Sequence, residues 1–181
     1  SACGCLRKSG KPPRHYIGEK YHGKEVRDQN GRDRMAGKEK VPGSASLSPH
    51  HNKYKEYSFK INEIYQRFTD MVEPFSIDES WLDVTASQKL FGTGKEIADL
   101  LRKTIRQELG LTLSVGVSFN KIFAKMGSDY NKPDGTTVIS RNNYKELLWP
   151  MDIRNMFFVG DATADKLNKA GIYTIGDLAC Y

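Results

Sequence analysis

"LTLSVGVSFNKIFAKMGSDYNKPDGTTVI", residues 111–139, decides the fold. Leu111 to Val117 reads as a short buried strand. Ser118 follows as a helix cap, and "FNKIFAKMGSDY" carries a helix. "TTVI", Thr136 to Ile139, returns as a strand. Strands alternating with helices predict a layered α/β or α+β domain.

The flanking segments extend the pattern. Thr93 caps a helix through about Leu109, with Ile97, Leu101 and Ile105 on its inner face and Gly110 as its stop. Tyr54, Tyr57, Ile61, Ile64, Phe68 and Met71 recur at steps of three and four, an apolar helical stripe. Between these helices lies a strand pair, "MVEPFSIDESWLDVT", residues 71–85. Downstream, Ser140 opens a short helix ending near Pro150. Two more short helices follow, from about Thr163 to Ala170 and from Thr174, where Thr174 and Asp177 form a capping box.

Asp78 and Glu79 lie side by side on this apolar strand pair. Carboxylates there are costly to desolvate unless they are paired or bind a metal. Strand side chains alternate between faces, so the two can serve one metal only if the chain turns or bulges at "SIDES". A solvated turn and a glycosidase acid pair are the competing readings. Hard oxygen ligands suit magnesium, which takes few protein carboxylates and completes its shell with phosphate and water. Asp83, a few residues on, reads as structural.

Lys121 and Lys125 are four apart and share a helix face, and Lys132 follows in a loop. They read either as a solvated lysine face or as contacts for a triphosphate or a DNA backbone. Gly160 precedes a helix start, where a glycine turn lets backbone N–H groups approach a phosphate. An ordinary helix-turn-helix explains it equally well.

Composition narrows the class. The chain has 181 residues and a net charge of +6. Residues 1–50 hold 11 basic and 5 acidic side chains, whereas residues 51–181 hold 17 of each. The excess charge is therefore confined to the first fifty residues, and any case for DNA must rest on local sites. No apolar run reaches membrane-spanning length. Cys3, Cys5 and Cys180 give neither a disulfide framework nor zinc spacing, so a reducing, cytoplasmic setting is expected.

Together these motifs resemble the Y-family DNA polymerases, the DinB/UmuC group that copies damaged templates. "FSIDESWLDVT" is similar to that family's palm motif, and the stretch quoted first is similar to the palm segment that follows. "VGDATADKLNKAGIYTIGDLA" resembles the helix-hairpin-helix of its thumb. The resemblance implies an α+β fold: a partial palm, with a mixed or antiparallel sheet and helices on one face, then the start of a helical thumb. It divides the chain into residues 1–49, 50–150 (palm) and 151–181 (thumb).

It further implies that Asp78 and Glu79 are catalytic, metal-binding carboxylates and that Lys132 binds the incoming triphosphate. Ser118 and Asn120 are mainly structural; Lys121, Lys125, Gly160 and Thr163 contact DNA or phosphate. The family's Gly-x-Gly turn would have Ala162 in place of its second glycine. Two Mg²⁺ ions, primer–template DNA and dNTP are the implied cofactor and partners, with a sliding clamp possible in the intact protein and a monomeric state. The family's first strand, with a third catalytic Asp, and its fingers are missing from residues 1–49, so this chain is expected to be inactive alone. A non-catalytic DNA-binding remnant using the helix-hairpin-helix is the alternative.

Residues 1–49 show neither helical nor strand period and read as a disordered basic tail. Back-translation supplies a reason. "MAGKEKV", Met35 to Val41, read one nucleotide later gives WQAKKKC, whose Trp is nearly forced by ATG followed by G. The shifted frame resembles the fingers of these polymerases. Residues 1–49 are therefore expected to be an out-of-frame translation, with the frame restored near Ser48–Pro49.

Overall fold

The computed structural model describes residues 16–22, as backbone, and residues 50–181. Five strands form one sheet: β1 (Tyr16–His22), β2 (Val72–Ser76), β3 (Glu79–Asp83), β4 (Thr112–Ser118) and β5 (Thr136–Ile139), in the order β2-β3-β1-β4-β5. All pairings are antiparallel except β4 with β5. The helices are α1 (His51–Gln66), α2 (Gln88–Phe91), α3 (Gly94–Leu109), α4 (Lys121–Tyr130), α5 (Tyr144–Leu148), α6 (Asp161–Lys169) and α7 (Ile175–Cys180). None of the described helices is long and apolar enough to cross a membrane.

The α+β class and the mixed sheet agree with the expectation. The helices, however, cover both faces rather than one. Leu113, Val115 and Val117 of β4 join Leu82 and Val84 of β3 in a core with Ile61, Ile64 and Tyr65 of α1 and Ile97, Leu101 and Ile105 of α3. The alternate β4 position, Gly116, faces α4: a Cβ there would sit 2.8 Å from the Gly127 carbonyl carbon and closer still to Ala124 O and Ser128 N. Strand alternation thus separates the two layers, and the absence of side chains at Gly116 and Gly127 lets α4 lie directly on the sheet.

Several sequence expectations need adjustment. The α1 stripe ends at Gln66; Phe68 is buried just beyond it, whereas Met71 is exposed and Tyr65, unnoticed in the periodicity, is fully buried. Ser118 ends β4 and donates to Ile139 O at 2.7 Å, and it is Asn120 that caps α4 by accepting from Phe123 N at 2.8 Å. The α6 helix starts at Asp161 rather than Thr163, and α5 starts at Tyr144, after a turn at Ser140. The caps of α3 and α7 are as expected at Thr93, at Thr174 with Asp177, and at Gly110 with φ 67°; Glu96, not noted in the sequence, completes a capping box with Thr93.

The expectation of no strand in residues 1–49 is overturned for Tyr16–His22, which fills the central slot between β3 and β4. Ladder pairing uses backbone groups that every residue carries, so a segment without strand period can still occupy such a slot. The remainder of residues 1–49, and the frame expectation attached to it, lies outside the described residues.

A second core straddles position 150. Met126, Ile139 and Leu148 pack with Ile153, Ala164 and Ile175. The helical C-terminal segment is thereby fixed on the α4 side of the sheet.

Candidate active site

The β2–β3 hairpin answers the question raised by the adjacent acids. Ser76 pairs with Glu79, so Ile77 and Asp78 form a two-residue turn, and the register slips at Phe75. Both the turn and the bulge that the sequence required are present. Asp78, in the turn, is half-buried and accepts a hydrogen bond from Ser76 Oγ at 2.8 Å. Glu79, the first residue of β3, is buried. Asp83, by contrast, accepts from Thr85 N at 3.0 Å and Thr85 Oγ1 at 2.6 Å, bonds internal to the strand's exit.

Trp81, two residues beyond Glu79 on the same strand face, donates from Nε1 to Lys121 O at 3.1 Å. This contact sets the start of α4 against β3. Helical spacing then places Lys121, Lys125 and Asp129 on one face toward the hairpin. Lys121 pairs with Glu73 of β2. Lys125 Nζ lies 3.5 Å from Glu79 Oε1 and 2.5 Å from Asp129 Oδ2, with 8% of its side chain exposed. Lys132 pairs with the other oxygen of Asp129. The result is a chain of alternating charge, Glu79–Lys125–Asp129–Lys132.

Three predicted site residues, Glu79, Lys125 and Lys132, are therefore brought together, with Asp78 next to them in the turn. Lys125, however, is buried within the network rather than displayed on an open helix face. Asp129 was missed in the sequence, although its spacing of four from Lys125 was visible. Burial would raise the Asp129 carboxyl, but hydrogen bonds and charge from Lys125 and Lys132 outweigh it and hold the group below its ordinary value. Asp129 also lines a cleft of about 360 Å³ with Met126, Tyr130, Arg154 and Phe157.

The loop beyond Lys132 is pinned from the other side of the sheet. Arg102 of α3 donates to Leu113 O at 3.2 Å and to Asp134 Oδ1 at 3.0 Å, and Arg106 reaches Asp134 Oδ2 at 2.8 Å.

Gly160 and Thr163 stand apart from this network. Gly160 is the N-cap of α6 at φ −86°, with open space where a Cβ would lie. Ala162, expected in place of the family's second glycine, is the second residue of α6. The left-handed residue of this turn is Phe158, at φ 70°. Asp161 occupies the first turn of α6, and Arg154 is engaged by Asp165 at 2.8 Å, features that weaken an anion site there.

Comparison with known proteins places this arrangement. Residues 29–129 match the impB/mucB/samB family. The fold and hairpin define a polymerase palm, and the chain belongs to that family, in agreement with the resemblance to Y-family polymerases. Among individual proteins, it is 44% identical over 163 residues to DNA polymerase IV of Acetivibrio thermocellus, covering 90% of this chain and 41% of that protein. It is 44% identical over 140 residues to DNA polymerase IV of Streptococcus pneumoniae, covering 77% of this chain and 40% of the relative. The chain thus spans about two-fifths of the curated relatives it matches. The crystal structure of a DinB family error-prone DNA polymerase from Sulfolobus solfataricus superposes with a TM-score of 0.81 at 25% identity, covering 92% of this chain and 59% of that one.

Proposed function

We propose that this chain carries the palm part of a DNA polymerase site for template-directed nucleotidyl transfer, acting on primer–template DNA and dNTP in synthesis across damaged templates. The observation that carries the reading is the hairpin turn that sets Asp78 and Glu79 beside the Lys125–Asp129–Lys132 network. Two adjacent carboxylates at a turn are a hard-oxygen donor set of the kind Mg²⁺ uses with substrate phosphates, so the residues present fit the ion. Asp78 and Glu79 would hold it. When bound, Mg²⁺ supplies charge neutralisation at the phosphates and activation of the primer hydroxyl. Lys132 meets the triphosphate's negative charge. Lys125 balances Glu79 inside the protein, and Lys121 keeps the α4 start against the hairpin through Glu73. Contact of Gly160 and Thr163 with the DNA backbone rests on the family resemblance alone, since Thr163 N donates to Gly160 O at 3.0 Å and Asp161 places negative charge at the α6 start.

Manganese, as a paramagnetic substitute for Mg²⁺, tests the carboxylate assignment. In the presence of dNTP, the unsubstituted chain is expected to bind Mn²⁺ at least ~10-fold more tightly than the Asp78→Asn/Glu79→Gln variant, the loss of about 1.4 kcal/mol or more. Equal Mn²⁺ binding by the two overturns it.

A further inference from the structure

We infer that Asp129 is the positioning residue that presents Lys132 to the triphosphate. This rests on the reading of Lys132 given above. Asp129 splits its two oxygens between two lysines: Oδ2 takes Lys125 Nζ at 2.5 Å, and Oδ1 takes Lys132 Nζ. Lys125 cannot follow a moving partner, because its buried ammonium is also held by Glu79. Asp129 therefore ties the mobile-stemmed Lys132 to a fixed point beside the hairpin. Lys132 has few alternatives for its backbone either, since Arg102 and Arg106 grip Asp134 two residues on. The Asp129 side chain remains 46% exposed and that of Lys132 24%, so both stay open to a ligand from solvent.

The position is otherwise a poor one for an acid. Asp129 lies in the last turn of α4, where the helix dipole disfavours negative charge. The dipole thus gives no reason for a carboxylate there; the i,i+4 pair with Lys125 does, and the urea unfolding of each variant measures that contribution separately. Without the carboxylate, the two ammoniums repel one another and Lys132 loses its tie to Lys125.

Electrostatics and positioning predict opposite signs, which makes the test decisive. Asp129→Asn raises the net charge by one, so a simple charge effect strengthens binding of an anion. Positioning weakens it. The measurement is calorimetric titration of the full chain with inorganic tripolyphosphate at fixed ionic strength, with urea unfolding to verify each variant. Asp129→Asn, and Asp129→Ser as a second neutral variant, are expected to bind at least ~5-fold more weakly, and Asp129→Glu to recover most of the loss. Lys132→Gln is expected to weaken binding, and adding Asp129→Asn to it to cost nothing further. If Lys132→Gln weakens binding while Asp129→Asn binds as tightly as the unsubstituted chain or more tightly, the inference is wrong and the reading of Lys132 stands. A further loss in the double variant also overturns it, because Asp129 then acts other than through Lys132. No loss in Lys132→Gln overturns both.

Discussion

Phe158 occupies a backbone region, φ 70°, that costs a residue with a Cβ about 1–2 kcal/mol relative to glycine. Its ring is 78% exposed, so it recovers little by burial, although it contacts Phe157 at 4.0 Å between centroids. Phe158→Gly is therefore expected to be more stable than Phe158→Ala by about 1 kcal/mol in urea unfolding. Equal stability contradicts a left-handed residue 158. Lys125 belongs to the same scale. Removing one partner of a buried ion pair strands the other, so Lys125→Met is expected to lose about 3 kcal/mol, with Glu79 left in the interior. A loss under about 1 kcal/mol contradicts the pairing. Residue-scale features were legible where the physics is local. Thr93 with Glu96 and Thr174 with Asp177 each complete a hydrogen-bond pair within four residues, and from spacing the second box and the Thr93 cap were read, though not its partner Glu96. Phe158 could not, because nothing in a phenylalanine signals positive φ. Asn120 was passed over for Ser118, since either side chain can cap and only the end of β4 decides between them.

At the scale of elements, the crossing of α4 over β4 controls the site, because it determines how far Lys125 and Asp129 stand from the hairpin. A methyl group at Gly116 would meet α4 backbone, which cannot yield as a side chain can. Gly116→Ala is expected to cost about 1–3 kcal/mol and to lower tripolyphosphate affinity with it. Unchanged stability and affinity contradict the close approach. Strands β4 and β5 and helix α3 were readable from apolar pattern and turn residues. The covering of both sheet faces was not, because Gly116 offers no hydrophobic signal toward α4. Acid stability follows from the same elements. Glu96 is held below its ordinary value first by the Thr93 backbone, Asp177 first by the Thr174 backbone, and Asp129 by its two lysines against its burial. Folded values below unfolded ones favour the native state above the unfolded value, and the advantage is lost as pH falls through the folded value. The urea midpoint is thus expected to be flat between about pH 5 and 7 and to fall below about pH 4. A midpoint that rises on acidification contradicts these assignments.

For the whole molecule, two cores join the sheet, the α1–α3 layer and the C-terminal helices around one hairpin and one charged network. The carboxylate pair, Lys121, Lys125 and Lys132 were all found in the sequence, but their meeting was not. It depends on pairing between β3 and β1, on β1 with β4, and on the α4 crossing, none of which spacing encodes. The tail is the clearest divergence, since Tyr16–His22 lacks a strand pattern yet completes the ladder. The family match from residue 29 and the 163-residue alignment both reach into residues 1–49 in the frame given, which an out-of-frame origin does not account for. The central claim, that Asp78 and Glu79 join a metal ion to a triphosphate held by Lys132, is tested most directly by calorimetric titration of dNTP with and without Mg²⁺. The unsubstituted chain is expected to bind dNTP at least ~10-fold more tightly with Mg²⁺, and the Asp78→Asn/Glu79→Gln variant to show no such gain. The same Mg²⁺ dependence in both proteins would contradict the claim.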